Sequence, residues 1–178
     1  VRIPIRIDAD RIDADKLYLL PMKIIKSTPC PISANADSVV LIKLKMVNAF
    51  SGTYTMTGKE TPVNEDGTLD HAAEMSINIT RTLTATSKNT VRMFERTSDE
   101  ESSGLGDNGI VLTVGSDGKS VTVSPCDKLQ VVEGSGKGSF KVVEETNGTR
   151  NRSFNIEYDY INANGKRMRV NVTLDSSE

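Results

Sequence analysis

The stretch FNIEYDYINANGKRMRVNVTL, residues 154–174, decides the fold. Phe154, Ile156, Tyr158 and Tyr160 recur at every second position, and so do Met168, Val170, Val172 and Leu174. Their sequence neighbours Asn155, Glu157, Asp159, Arg167, Arg169, Asn171 and Thr173 are polar. A period of two places one set on each face of an extended chain, so both halves read as strands with one buried face. The Asn162–Gly165 segment between them has the residues of a tight turn. The stretch is therefore a β-hairpin, with acids on one strand opposite arginines on the other.

The same pattern spreads outward along the chain. Val40, Ile42, Leu44 and Met46 alternate, as do Met75, Ile77, Ile79, Leu83 and Ala85. Ile110, Leu112 and Val114 face Val121 and Val123 across Ser116–Lys119. At the N-terminus, VRIPIRIDADRIDADKLYLLPMKII (residues 1–25) predicts two strands, Val1–Ile7 and Tyr18–Ile24, joined by an acidic connector. Asp66-Gly67, Asn108-Gly109, Asp117-Gly118, Asn147-Gly148 and Asn164-Gly165 mark turns that tolerate positive φ. No segment sustains a 3.6-residue period, so helix is confined to single turns over Asp8–Lys16 and Asp70–Glu74, the latter capped by Asp70. The acidic, apolar-poor loop Ser98–Gly106 reads as mobile. A boundary falls near Asn48–Gly52. Residues 50–178 then form a run of hairpin-linked strands, which favours an antiparallel up-and-down β-barrel closed to remove its edges. A Greek-key β-sandwich is the alternative.

Composition narrows the function. The 178 residues carry a net charge of −2, which argues against a nucleic-acid binder. No apolar run approaches the roughly 18 residues of a membrane helix. The two cysteines, Cys30 and Cys126, lack metal-ligand spacing and read as free thiols, with a long-range disulfide as the alternative.

The element Asp15, Lys16, Tyr18, Leu20, Pro21, Ile24 resembles the end of an immunoglobulin-like domain found in surface lipoproteins of gut Bacteroidetes, often encoded in polysaccharide-utilisation loci. Phe50 to Gly58 resembles the start of the C-terminal β-domain of the same proteins, and Gly52 followed by Tyr54 is similar to the opening of lipocalin-like barrels. The resemblance implies residues 1–49 as the C-terminal part of an immunoglobulin-like domain and 50–178 as a lipocalin-like barrel. It implies an outer-membrane surface or periplasmic location, with a lipid anchor that this chain does not itself carry. Partners would be polysaccharide or other cell-surface proteins. The family supplies no catalytic residues and no cofactor to carry over.

Candidate chemistry is sparse. The one histidine, His71, sits at a turn. Glu157 and Asp159 stand about 7 Å apart along a strand, near the spacing of an inverting hydrolase pair. Their facing arginines favour an ion network instead. Asp8, Asp10, Asp13 and Asp15 lack the glycine and closing glutamate of a calcium loop. Gly134–Ser139 lacks the spacing and following helix of a phosphate loop. Arg81 is different: alternation sets it on the apolar face, where a guanidinium needs a partner. With no Trp, four Tyr and four Phe, sugar stacking falls to Tyr158 and Tyr160 near a strand end. Arg81, Tyr158 and Tyr160 are thus the candidate ligand-binding residues, with no catalytic or metal site. The expected function is a non-enzymatic accessory module for glycan binding or scaffolding. The alternatives are a lipocalin-like carrier and a glycoside hydrolase.

Overall fold

A computed structural model describes residues 4–8, 12, 16, 18–24, 39–95, 104–144, 146 and 148–177. The chain divides into two compact units, Val1–Met46 and Val47–Glu178. In the first unit, β1 (Tyr18–Lys23) pairs antiparallel with β2 (Val39–Leu44). Tyr18, Leu20 and Met22 stand opposite Leu44, Ile42 and Val40, so this ribbon has one apolar face. Residues 4–8 are not in a strand, contrary to the expectation for Val1–Ile7; Pro4 removes one ladder donor from that stretch. Most of the acidic connector, with Asp10, Asp13 and Asp15, lies outside the described residues.

The second unit holds β3 (Gly52–Pro62), β4 (Met75–Ala85), β5 (Thr90–Phe94), β6 (Gly109–Val114), β7 (Ser120–Pro125), β8 (Gln130–Val131), β9 (Lys137–Glu144), β10 (Arg150–Ile161) and β11 (Arg167–Ser177). Every strand but the two-residue β8 pairs with the next, and β11 returns to β3, closing an eight-stranded antiparallel barrel. That simple order is the up-and-down meander, not the Greek key. The barrel is lipocalin-like, and helix is limited among the described residues to short turns. One is a 3-10 turn at His71–Ala73. Asp70 precedes it, but the Asp70 side chain makes no capping bond; its backbone carbonyl accepts from Ala73 N–H instead. The other, α1 (Leu105–Asn108), ends the loop whose residues 98–103 lie outside the described set.

Inward alternation from every barrel strand fills the interior. Met56, Val91, Ile110, Leu112, Val114, Phe154, Val170 and Leu174 are fully buried, and Tyr54, Leu83 and Ile156 nearly so. Large side chains of this kind contribute about 1.5–3 kcal/mol each on burial. The turns follow the sequence signals at Gly67, Gly118, Gly148 and Gly165, all at positive φ. Asp117 shows why: its Oδ1 accepts from Lys119 N–H, Ser120 N–H and the Ser120 hydroxyl, each at 2.9 Å. Asn108-Gly109 is not a hairpin turn. Gly109 is extended at φ −99° and starts β6; a Cβ there would lie 2.4 Å from Leu105 O and 2.7 Å from Cys126 Sγ. Gly58 plays a larger part. It sits in mid-strand at φ +154°, and a Cβ would meet Asn171 O at 2.2 Å and Val172 Cα at 2.7 Å. Only glycine lets β3 approach β11 there.

The connector between β7 and β9 runs against the C-terminal end of β10. Val132 N–H donates to Asp159 O at 2.8 Å, and Asp159 N–H donates to Ser135 Oγ at 3.0 Å. Asp159 is 1% exposed, and its carboxylate accepts from Arg167 Nε and Nη2 at 2.9 and 2.5 Å and from Arg169 Nε and Nη2 at 2.7 and 3.0 Å. Burial pushes the Asp159 pKa up, but the bonds from Arg169 and Arg167 outweigh it and hold the group below its ordinary value.

These contacts set the cost of three substitutions. Gly58→Ala should cost about 2 kcal/mol or more in chemical denaturation, because its clash is with backbone. Gly67→Ala, at φ +83° with open space around it, should cost about 1 kcal/mol. Asp159→Asn should cost about 2 kcal/mol at pH 7. Because the folded pKa is depressed, the stabilisation is full above the ordinary aspartate value of 3.8 and fades as pH falls through the folded value. The gap between wild type and variant should therefore narrow in acid melts below that pH.

Candidate functional site

Arg81 lies on the inward face of β4, opposite Tyr54 of β3. It is 1% exposed, and its Nη2 donates to the backbone carbonyl of Glu95 at 3.3 Å. Tyr158 and Tyr160 on β10 are each 1% exposed, with ring centroids 6.4 Å apart. The Tyr160 hydroxyl makes a short hydrogen bond to Glu60 Oε1. All three candidate residues therefore face the packed interior, accompanied by the buried acids Glu60 and Glu95. The tyrosine rings offer no exposed surface for stacking a pyranose. Glu60 was legible by the same reasoning as Arg81, since Met56, Gly58 and Glu60 share the inward face of β3.

Where β3 begins, the lead-in to the barrel is clasped. Asn48 Oδ1 accepts from Phe50 N–H at 2.9 Å and Ser51 N–H at 2.8 Å, while its Nδ2 donates to Ser87 O and Thr90 O at 2.7 and 3.0 Å. This fixes Phe50 edge-on against Phe140, with centroids 4.9 Å apart. Arg152 lies over the Tyr54 ring at 5.4 Å and donates from Nη1 to Ala49 O at 3.2 Å and Ser51 O at 3.0 Å. The guanidinium thus joins cation–π and hydrogen-bond contacts in one place.

Beside this clasp lies an open cleft of about 400 Å³, lined by Thr55, Asn151, Arg152, Asp175 and Ser176. Barrel closure assembles it: Thr55 pairs with Asp175, and Arg152 with Ser176. Its volume falls in the usual range for small-ligand sites, about 300–1,000 Å³. The five lining side chains are all polar and supply hydroxyls, an amide, a carboxylate and a guanidinium. The Arg152 guanidinium already serves the clasp, so it borders the cleft as a structural group.

The other candidates are structural. Asp159 is held by both arginines as expected, but Glu157 stands opposite Asn171 and takes its ion pair from Lys137 at 3.3 Å instead. His71 is exposed, with Nδ1 3.2 Å from Glu74. β9 begins at Lys137, inside the Gly134–Ser139 segment, where a phosphate loop would need a helix to follow. Cys126 is free, and burial pushes its thiol pKa up; Cys30 lies outside the described residues.

Several solved structures share the fold. A protein of unknown function from Bacteroides ovatus aligns with TM-score 0.62 and 17% identity, over 93% of this chain and 59% of its own. A second B. ovatus protein of unknown function aligns with TM-score 0.59 and 13% identity, over 96% of this chain and 60% of its own. An auxiliary nutrient binding protein from Bacteroides thetaiotaomicron VPI-5482 aligns with TM-score 0.58 and 17% identity, over 93% and 59% respectively. The chain thus spans about three-fifths of the length of these structures, and the likeness is one of fold. No curated protein matches it. Residues 38–175 match the model of a family described as "-like, C-terminal", and the chain therefore belongs to that family of C-terminal domains.

Proposed function

We propose that this chain is a non-catalytic accessory module that binds carbohydrate at the cell envelope, using the cleft between β3, β11 and β10. The observation that carries the reading is a cleft of ligand size whose lining residues, Thr55, Asn151, Arg152, Asp175 and Ser176, all bear polar side chains. Sugars present hydroxyls that both donate and accept, and this lining offers both kinds of partner. The auxiliary nutrient binding protein of the same fold is consistent with such a role. A location on the outer membrane surface or in the periplasm, with a lipid-anchored precursor, belongs to the same proposal. So does the reading of residues 1–49 as the C-terminal part of an immunoglobulin-like domain, supported by the antiparallel β1–β2 ribbon.

A carrier role inside the barrel fits less well. A ligand would reach Arg81, Tyr158 and Tyr160 only by displacing side chains such as Met56, Phe154 and Leu174 that fill the interior. Close packing makes that displacement costly.

Affinity electrophoresis through gels containing starch, dextran, mannan, xylan or polygalacturonate tests the binding proposal. Wild type should be retarded by at least one polymer, and Asp175→Ala should weaken that interaction by about tenfold, equivalent to about 1.4 kcal/mol. Asp175 is exposed, so the melting temperature should stay unchanged. Free migration of wild type in every gel would refute the reading.

A further inference from the structure

The Asp159 network carries more positive charge than its carboxylate consumes. Arg169 stands opposite both Asp159 of β10 and Thr61 of β3, and Arg167, two positions away on β11, reaches the same carboxylate diagonally. Each guanidinium spends its Nε and Nη2 edge on Asp159. A guanidinium has five N–H donors in a planar fork, so the edge between Nη1 and Nη2 is left over on both. Among the described residues neither Nη1 makes a hydrogen bond, and the two side chains remain 43% and 32% exposed.

The carboxylate is sealed from solvent whereas both guanidiniums reach it, so an anion in solution meets positive charge first. Asp159 also fixes both forks in place, which removes much of the ordering cost of binding. The flanking acids do not supply the missing negative charge. Glu157 is paired with Lys137 at 3.3 Å and accepts from Asn171. Glu74, bonded to the Thr61 hydroxyl, is paired with Lys59 at 2.5 Å. Arg167, Arg169, Lys137 and Lys59 thus face Asp159, Glu157 and Glu74, four cations against three carboxylates, and one positive charge is left.

We propose that Arg167 and Arg169 form a site for an oxyanion, with the oxygens of a carboxylate or sulfate group held end-on by the free Nη1–Nη2 edges. Charge-assisted, paired N–H···O bonds of this kind suit the planar fork of arginine to such groups. The site stands about 20 Å along β11 from Asp175, at a rise of about 3.3 Å per residue, so it is separate from the cleft. That the oxyanion belongs to an acidic sugar, a uronate or a sulfated sugar, rests on the carbohydrate reading of the cleft. That the group is an oxyanion rests on the arginines alone.

The test follows the Nε–H signals of Arg167 and Arg169 by heteronuclear NMR at constant ionic strength while galacturonate, galactose or inorganic sulfate is added. Affinity electrophoresis through dextran and dextran sulfate accompanies it. Galacturonate should shift both signals saturably, and galactose should leave them unmoved. Arg167→Gln keeps the Arg169–Asp159 bonds and removes the surplus charge. It should weaken binding to dextran sulfate at least tenfold, while its behaviour in dextran stays that of wild type. Should that variant lose cooperative melting, the wild-type titration decides by itself. Equal retardation of wild type and Arg167→Gln by dextran sulfate, or unmoved arginine signals with every ligand, would overturn the site. Saturation by sulfate with no response to galacturonate or dextran sulfate would overturn the sugar and leave a free-anion site. Retardation by a neutral polymer that Asp175→Ala weakens would leave the cleft reading standing in either case.

Discussion

Pairing of β3 with β11 is the constraint on which the rest of the second unit depends. It runs from Met168↔Pro62 to Asp175↔Thr55 and turns a nine-stranded sheet with edges into a closed wall. Without it, two strands would expose rows of unpaired backbone groups. Closure in turn requires the close approach at Gly58. The same pairing brings Thr55 beside Asp175 and so creates the polar cleft. It also places Glu60 on the inner wall within reach of Tyr160.

The barrel divides its chemistry by face. Inward positions hold apolar side chains and a few polar groups met by internal partners, which suits a low-dielectric interior. Outward positions hold the Asp159–Arg167–Arg169 network and the Thr55–Asp175 side of the cleft. A shape shared with ligand carriers is here filled with packed side chains, and most of its charged groups stand on the outside. Fold and function are separable in this sense: the closed meander fixes where side chains stand, and the side chains decide what they bind.

Much of this was legible in the chain. Alternation in 154–174 gave both strands of the last hairpin and their cross-strand charges, and the closed meander followed from hairpin spacing. Inward placement of Arg81 was read from the same alternation. The clasp was missed: Arg152 is inward by the same rule, but its carbonyl partners on Ala49 and Ser51 lie more than 100 residues away in sequence. The cleft was missed for a related reason. Thr55, Asn151 and Asp175 look like ordinary solvated strand residues until closure makes neighbours of the first and last strands. Gly109 misled because Asn-Gly marks turns by conformation, whereas here the glycine answers a steric demand from Leu105 and Cys126.

The Arg152 clasp has a consequence for the order of assembly. Its guanidinium comes from β10 but secures the turn that precedes β3, so this half of the clasp forms only once β10 is in place, whereas the Asn48 half needs only the β4–β5 turn. Barrels built on such distant contacts fold slowly compared with proteins of local topology. Any truncation short of β11 removes the strand that pairs with both β3 and β10 and leaves an open edge on each.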